Sequence, residues 1–91
     1  MANVTLVLPG MLRDVVGATT LRLRAETLAS ALEEAYRRVP VLRHHLCDED
    51  GAFREHVLCF HNDENTRDLA SLDVPLRDGD RISIVQAVSG G

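Results

Sequence analysis

Apolar and polar side chains alternate in three stretches of the chain, and this alternation predicts β-strands. In Asn3–Leu8 and in Thr20–Ala25 an apolar residue recurs at every second position, the period of a strand that buries one face. The run Arg81–Val85 does the same and places Ile82 and Ile84 on one side. The sequence therefore predicts strands near both ends of the chain, with a single apolar face each.

A different period follows the second strand and predicts one amphipathic helix. Thr27 is a suitable N-cap and Pro40 ends the segment. Between them an apolar stripe recurs at helical spacing, formed by Leu28, Ala31, Leu32, Ala35 and Val39. On the opposite face we expect ion pairs between residues four apart, namely Glu33 with Arg37 and Glu34 with Arg38.

The stretch Glu55–His61 predicts a further strand in which both faces are apolar. Val57 and Cys59 alternate with the pair Leu58 and Phe60. One helix covers only one face of a sheet, so one of these pairs is expected on the open face. We favour Leu58 and Phe60 there; the reverse register, which a slip of one residue would produce, remains open.

The connecting segments contain turn residues and a few apolar side chains. Between the first two strands, Leu12 and Val15 are expected to lie against the core. Val41–Leu46 is either a short helical turn or a loop that points leucines inward. In the turn Asp78-Gly79-Asp80 the two carboxylates are expected to accept backbone hydrogen bonds. These elements predict an α+β roll, with a mixed four- to five-stranded sheet and one main helix across one face.

Composition narrows the class of protein. The 91 residues fit one domain, and the net charge of −4 argues against nucleic acid as a partner. No apolar run is long enough for a membrane span, and the start of the sequence does not resemble a signal peptide. The two cysteines form no paired motif. We therefore expect a cytoplasmic protein with reduced thiols. All ten basic residues are arginine. Without lysine, copies of the chain cannot be linked to one another through side-chain amines.

The cysteines and histidines raise the alternatives of a metal site and of thiol chemistry. Their spacing matches no zinc-finger type, and we expect no metal ligand among Cys47, Cys59, His44, His45, His56 and His61. A reactive thiol must be exposed and have a lowered pKa. Cys59 is predicted in mid-strand and Cys47 lies in an acidic stretch, so neither position favours catalysis.

The sequence ends in Gly90-Gly91, directly after the last predicted strand. Two residues without side chains add nothing to a core, and ordering them is entropically expensive. A folded domain over residues 1–85 followed by a flexible diglycine tail over 86–91 would let the terminal carboxylate enter a narrow cleft of another protein. The carboxylate of Gly91 is therefore a candidate reactive group.

The chain resembles the ubiquitin-like bacterial sulfur carriers along nearly its whole length. This group includes the thiamine-type carriers, the small subunits of molybdopterin synthase and the carriers that supply sulfur for cysteine or secondary metabolites. The resemblance rests on the order of elements and on several segments: Pro9-Gly10 followed by Leu12-Arg13, the helix start Thr27-Leu28, Asn62–Arg67, Leu72–Leu76, Asp78-Gly79-Asp80 and Ile84–Gly91. It implies a β-grasp fold.

The resemblance also implies a function. A partner enzyme would use ATP to adenylate Gly91, and sulfur would replace the adenylate to give a thiocarboxylate for a biosynthetic enzyme. Gly90, Ser89 and Val88 would enter the activating enzyme, while Leu58, Phe60 and Arg67 would contact partners. The chain itself would be a carrier with no bound cofactor and no catalytic residue. Two alternatives stay open: a small subunit of molybdopterin synthase, and a ubiquitin-like modifier joined to proteins through Gly91. The metabolite that receives the sulfur is also open.

Overall fold

A computed structural model describes residues 1–86 of the chain. The strands are β1 (Ala2–Val7), β2 (Thr20–Ala25), β3 (Val57–His61), β4 (Glu64–Asn65) and β5 (Arg81–Gln86), and the helices are α1 (Arg13–Val16), α2 (Leu28–Arg38) and α3 (Pro40–Leu46). Short 3₁₀ turns lie at Gly10–Leu12 and Thr66–Asp68. Residues 87–91 lie outside this description, and with them the predictions for Val88, Ser89, Gly90 and Gly91.

The five strands form one mixed sheet in the order β2-β1-β5-β3-β4. β1 pairs with β2 antiparallel and with β5 parallel, and β3 pairs antiparallel with both β5 and β4. The two ends of the described chain therefore lie side by side in the centre of the sheet. β2 forms one edge over six residues, and the two-residue β4 forms the other.

The predicted helix is confirmed, and its apolar stripe supplies much of the core. Leu28, Ala31 and Ala35 are fully buried, and the side chain of Thr27 accepts a hydrogen bond from the backbone N–H of Ser30 at 3.1 Å. The hydroxyl of Ser30 accepts in return from the backbone N–H of Thr27, which completes a capping box. Burying one such leucine contributes roughly 1.5–3 kcal/mol, so the stripe fixes the helix on the sheet.

The ambiguous segment after α2 is a helix. Pro40 occupies its first turn, where a missing backbone N–H costs nothing. Leu42 and Leu46 point inward and are fully buried, as expected from the sequence. Within residues 1–86 none of the helices combines the length and apolar character that crossing a membrane requires.

Two local predictions are wrong. Val15 is 44% exposed, and its neighbour Val16 packs on the core instead. The segment is helical rather than irregular, so the residue four positions after the buried Leu12 shares its face. The second error concerns Glu33, whose carboxylate pairs with Arg43 of α3 at 3.0 Å and not with Arg37. The predicted pair of Glu34 with Arg38 forms, also at 3.0 Å.

Candidate functional site

The sheet face opposite α2 carries the aliphatic and aromatic side chains that the sequence placed on an open face. Val57 and Cys59 are 2% exposed and belong to the core, whereas Leu58 and Phe60 are only half-buried. Because side chains alternate along a strand, Leu58 and Phe60 lie on the outer face. The register favoured from the sequence is thus the observed one; their role in binding a partner stays a prediction.

Neighbouring strands extend this apolar area. Leu58 lies opposite Val85 of β5, and Phe60 lies opposite Ser83, whose parallel neighbour is Val7 of β1. Val85 is 44% exposed. We call the outward-facing set Val7, Leu58, Phe60 and Val85 the sheet patch. Val7 and Val85 were not singled out from the sequence, although the alternation Ile82, Ile84 inward already requires Val85 to point outward.

The sheet patch adjoins the strand that leads to the C-terminus. Val85 belongs to both, and β5 ends at Gln86, five residues before Gly91. A fully extended chain covers at most about 3.3–3.6 Å per residue. A protein that docks on the sheet patch therefore has the terminal carboxylate within roughly 20 Å of it.

The start of β5 is fixed by the turn before it. Asp78 accepts a hydrogen bond from the backbone N–H of Asn3 at 2.7 Å, and Gly79 adopts a left-handed conformation with φ of 90° that favours glycine. Asp80 accepts from the backbone N–H of Arg77 at 2.9 Å. Both carboxylates accept backbone hydrogen bonds as predicted, so the strand leaves the turn in a fixed register.

Asp80 also joins β5 to the end of β3. His61 donates through Nε2 to its carboxylate at 2.8 Å, and the amide of Asn62 donates at 3.2 Å. The hydrogen bond from His61, followed by that from the backbone of Arg77, lowers the pKa of Asp80 from 3.8 to about 2. Asp80 therefore stays ionised at neutral pH and connects β3 with β5, two of the three strands that carry the sheet patch.

Arg67, in the turn after β4, makes hydrogen bonds that hold neighbouring segments of the chain together. Its guanidinium donates to the backbone carbonyl of Glu55 at 3.3 Å, and its backbone N–H donates to the side chain of Asn65. The sequence also offers Asp63 and Asp68 as ion-pair partners for Arg67, but neither pair forms within residues 1–86. The turn after β4 is thus attached to the segment before β3. A contact of Arg67 with a partner stays a prediction.

Both thiols lie inside the core, where a reaction partner has little access to them. Cys47 and Cys59 are free and buried, with 5% and 2% exposure. Burial raises the pKa of Cys59 to about 11, and Sγ of Cys47 lies 3.4 Å from the hydroxyl of Tyr36 in the core. Within the described part of the chain, no three histidine, cysteine or carboxylate side chains gather as metal ligands would.

Comparison with known proteins places these features in context. The model of the ThiS family matches residues 6–91. Small archaeal modifier protein 1 from Methanosarcina acetivorans is 30% identical with a TM-score of 0.80, covering 100% of this chain and 98% of its own. A comparison with curated protein sequences gives no match.

Two further solved structures share the fold. The complex of BexX and CysO from Amycolatopsis orientalis contains a chain 26% identical, with a TM-score of 0.81 and coverage of 97% of this chain and 99% of that one. A candidate molybdopterin converting factor, subunit 1, from Pyrococcus furiosus is 20% identical, with a TM-score of 0.70 and coverage of 97% and 100%. These likenesses confirm the predicted ubiquitin-like β-grasp fold.

Proposed function

We propose, from the premise that the chain belongs to the ThiS family, that it is a sulfur carrier whose Gly91 carboxylate becomes a thiocarboxylate. The observation that carries the proposal is the extent of the family match, which runs over the β-grasp domain and through the terminal diglycine. The carrier would be a co-substrate of partner enzymes rather than a catalyst.

The chemistry needs an activating enzyme that uses ATP. A carboxylate oxygen of Gly91 would attack the α-phosphorus of ATP, forming an acyl adenylate and releasing pyrophosphate. A sulfur nucleophile at the oxidation level of sulfide would then attack the acyl carbon, and the bond to AMP would break. The product is a thiocarboxylate that a biosynthetic enzyme accepts as its sulfur source. No electron transfer is required.

The sheet patch supports the carrier role as a docking face. Its apolar side chains lie on one face of the sheet and include part of β5, the strand that leads to Gly91. A partner could bind the domain through this face while the tail enters its active site. Buried thiols support it as well, because Cys47 and Cys59 are poorly placed to capture the activated carbonyl.

The test is intact-protein mass spectrometry after incubation with ATP, a diglycine-activating enzyme and sulfide. We expect a mass increase equal to replacement of one oxygen by sulfur, mapped to Gly91 and missing in a chain lacking that residue. Unmodified carboxylate with an activator that forms the adenylate would contradict the proposal. Sulfur on Cys47 or Cys59 would instead indicate thiol chemistry.

A single substitution in the tail tests whether the diglycine must pass through a narrow cleft. Gly90→Val adds a branched side chain one residue before the carboxylate, and we expect normal folding with at least tenfold slower adenylation. The ATP–pyrophosphate exchange rate is the measurement. Gly10→Val is the control, because it adds the same side chain at an exposed glycine outside the tail, where the added Cβ meets open space. A wild-type rate for Gly90→Val would exclude threading.

The 30% identity to small archaeal modifier protein 1 favours a second candidate, a protein modifier joined through Gly91 to lysines of other proteins. Because Arg81 is the last arginine and lysine is absent, trypsin would leave residues 82–91 on a modified lysine. Peptides carrying that remnant, recovered from cells, would support the modifier. The third candidate, a small subunit of molybdopterin synthase, is supported by likeness of fold alone.

A further inference from the structure

The β2 edge of the sheet is open and carries positive charge. Asn3 and Thr5 direct their backbone groups toward β5, since the carbonyl of Asn3 accepts from Gly79 and the N–H of Thr5 donates to the carbonyl of Asp80. In an antiparallel pair, the partners Arg24 and Arg22 must then point their backbone groups away from β1. Thr20, Arg22 and Arg24 thus present edge donors and acceptors to solvent.

One contact confirms this orientation and shows how the edge is covered in the free chain. The guanidinium of Arg38, at the end of α2, donates to the backbone carbonyl of Arg22 at 2.8 Å. The side chain of Arg38 is 45% exposed and also pairs with Glu34. Exposed contacts of this kind are weak. Arg38 therefore occupies one backbone carbonyl of the edge, but a binding partner could displace it. Beyond Ala25 the edge ends, because the carbonyl of Glu26 accepts from the N–H of Leu76.

The side chains beside this edge are complementary to carboxylates. Arg22 and Arg24 point to the outer face, and Arg81 lies in the same row as Arg22, on the other side of Thr5. Within residues 1–86 these three arginines form no ion pair, although the chain as a whole is acidic. A depression of about 640 Å³ lies beside Arg22 and Arg24, and Arg38, Asn3, Thr5 and Gly79 are among the residues that line it.

We propose that the β2 edge, over Thr20–Arg24, binds an acidic extended segment of a partner protein as an added strand. Backbone hydrogen bonds to the edge would hold the segment, and acidic residues at alternate positions would lie opposite Arg22 and Arg24. The inference is independent of the chemistry at Gly91.

The charge also disfavours a second copy of this chain as the occupant. Two β2 strands that paired about a twofold axis would place arginine opposite arginine, or arginine opposite threonine, along the outer face. Like charges directly opposite one another destabilise a sheet. The same arginines therefore oppose self-association at the edge and favour an acidic strand.

The test uses a short capped peptide in which glutamate alternates with valine, titrated into the full chain and followed by amide NMR shifts. We expect the largest shifts at Thr20, Arg22 and Arg24, with amide protection from hydrogen exchange. The variant Arg22→Gln/Arg24→Gln should bind roughly fivefold more weakly, as for two exposed ion pairs. The control Arg13→Gln/Arg43→Gln has the same net charge and leaves this edge intact, since Arg43 lies on α3 and its ion pair is exposed, and it should bind like the wild type.

Modified peptides separate strand addition from simple charge attraction. N-methyl groups on the peptide amides that face β2 should abolish binding, whereas N-methylation of the opposite amides should not. Equal binding of both methylated peptides, or of a peptide with glutamine in place of glutamate, would overturn the proposal. So would the absence of shifts along β2.

Discussion

At the scale of single residues, Asp80 links the stability of the fold to pH. Its carboxylate accepts hydrogen bonds from three residues, His61, Asn62 and Arg77, and these lower its pKa to about 2. A carboxyl group whose pKa is lower in the folded state stabilises the fold above its unfolded pKa and loses that contribution as the pH falls. The stabilising contribution of Asp80 is therefore lost as the pH falls from about 4 to about 2.

We therefore expect the substitution Asp80→Asn to flatten the acid limb of the stability curve. Between about pH 4 and pH 2 the wild type should lose more free energy of unfolding than the variant, because only the wild type carries this carboxylate. Urea unfolding at several pH values measures the difference. His61→Ala, which removes the largest cause of the lowered pKa, should also reduce the slope; equal slopes in all three proteins would contradict the assignment.

At the scale of elements, α2 depends on its capping box. Thr27 and Ser30 satisfy each other's backbone N–H groups at the helix start. We expect Thr27→Ala to lower the free energy of unfolding by about 1 kcal/mol, the usual cost of losing an N-cap. Thr27→Ser keeps the accepting hydroxyl and should retain most of the stability. Denaturant titration decides, and an equal loss in both variants would point to the methyl group of Thr27 instead.

The elements also show what a sequence can reveal. α2 was predictable because its cap, stripe and terminal proline are all local signals. Val16 was missed because a single helical turn is too short to establish a period, although Gly17, at φ of 87°, ends it in the expected left-handed conformation. The partner of Glu33 could not be predicted locally, since Arg43 reaches it only when α3 packs on α2. β4 could not be predicted either, because it has only two residues and forms only when the chain turns back at Asn62, which adopts a φ of 57°.

At the scale of the whole molecule, the outer sheet face has two chemically different halves. The sheet patch is formed by β3 and β5 with Val7 of β1, whereas the arginines lie on β2 and, with Arg81, at the start of β5. The sequence revealed Leu58 and Phe60 because both faces of their strand are apolar. The cluster of arginines beside the β2 edge could not be predicted from the sequence, because it depends on strand order. That order places Arg81 and Arg22 on either side of Thr5, although they are far apart in the chain.

Phe60→Glu tests whether the sheet patch is the docking face for the activating enzyme. Phe60 is half-buried on the outer face, so a charge there should change the free energy of unfolding by about 1 kcal/mol or less. It would nevertheless place an unpaired carboxylate in an apolar interface, and we expect adenylation at least tenfold slower at low carrier concentration, with recovery as the concentration rises. Val15→Glu is the matched control, since Val15 is exposed on α1, away from the sheet. If both variants were adenylated at the wild-type rate, docking would have to use another surface, even if Gly91 still received sulfur.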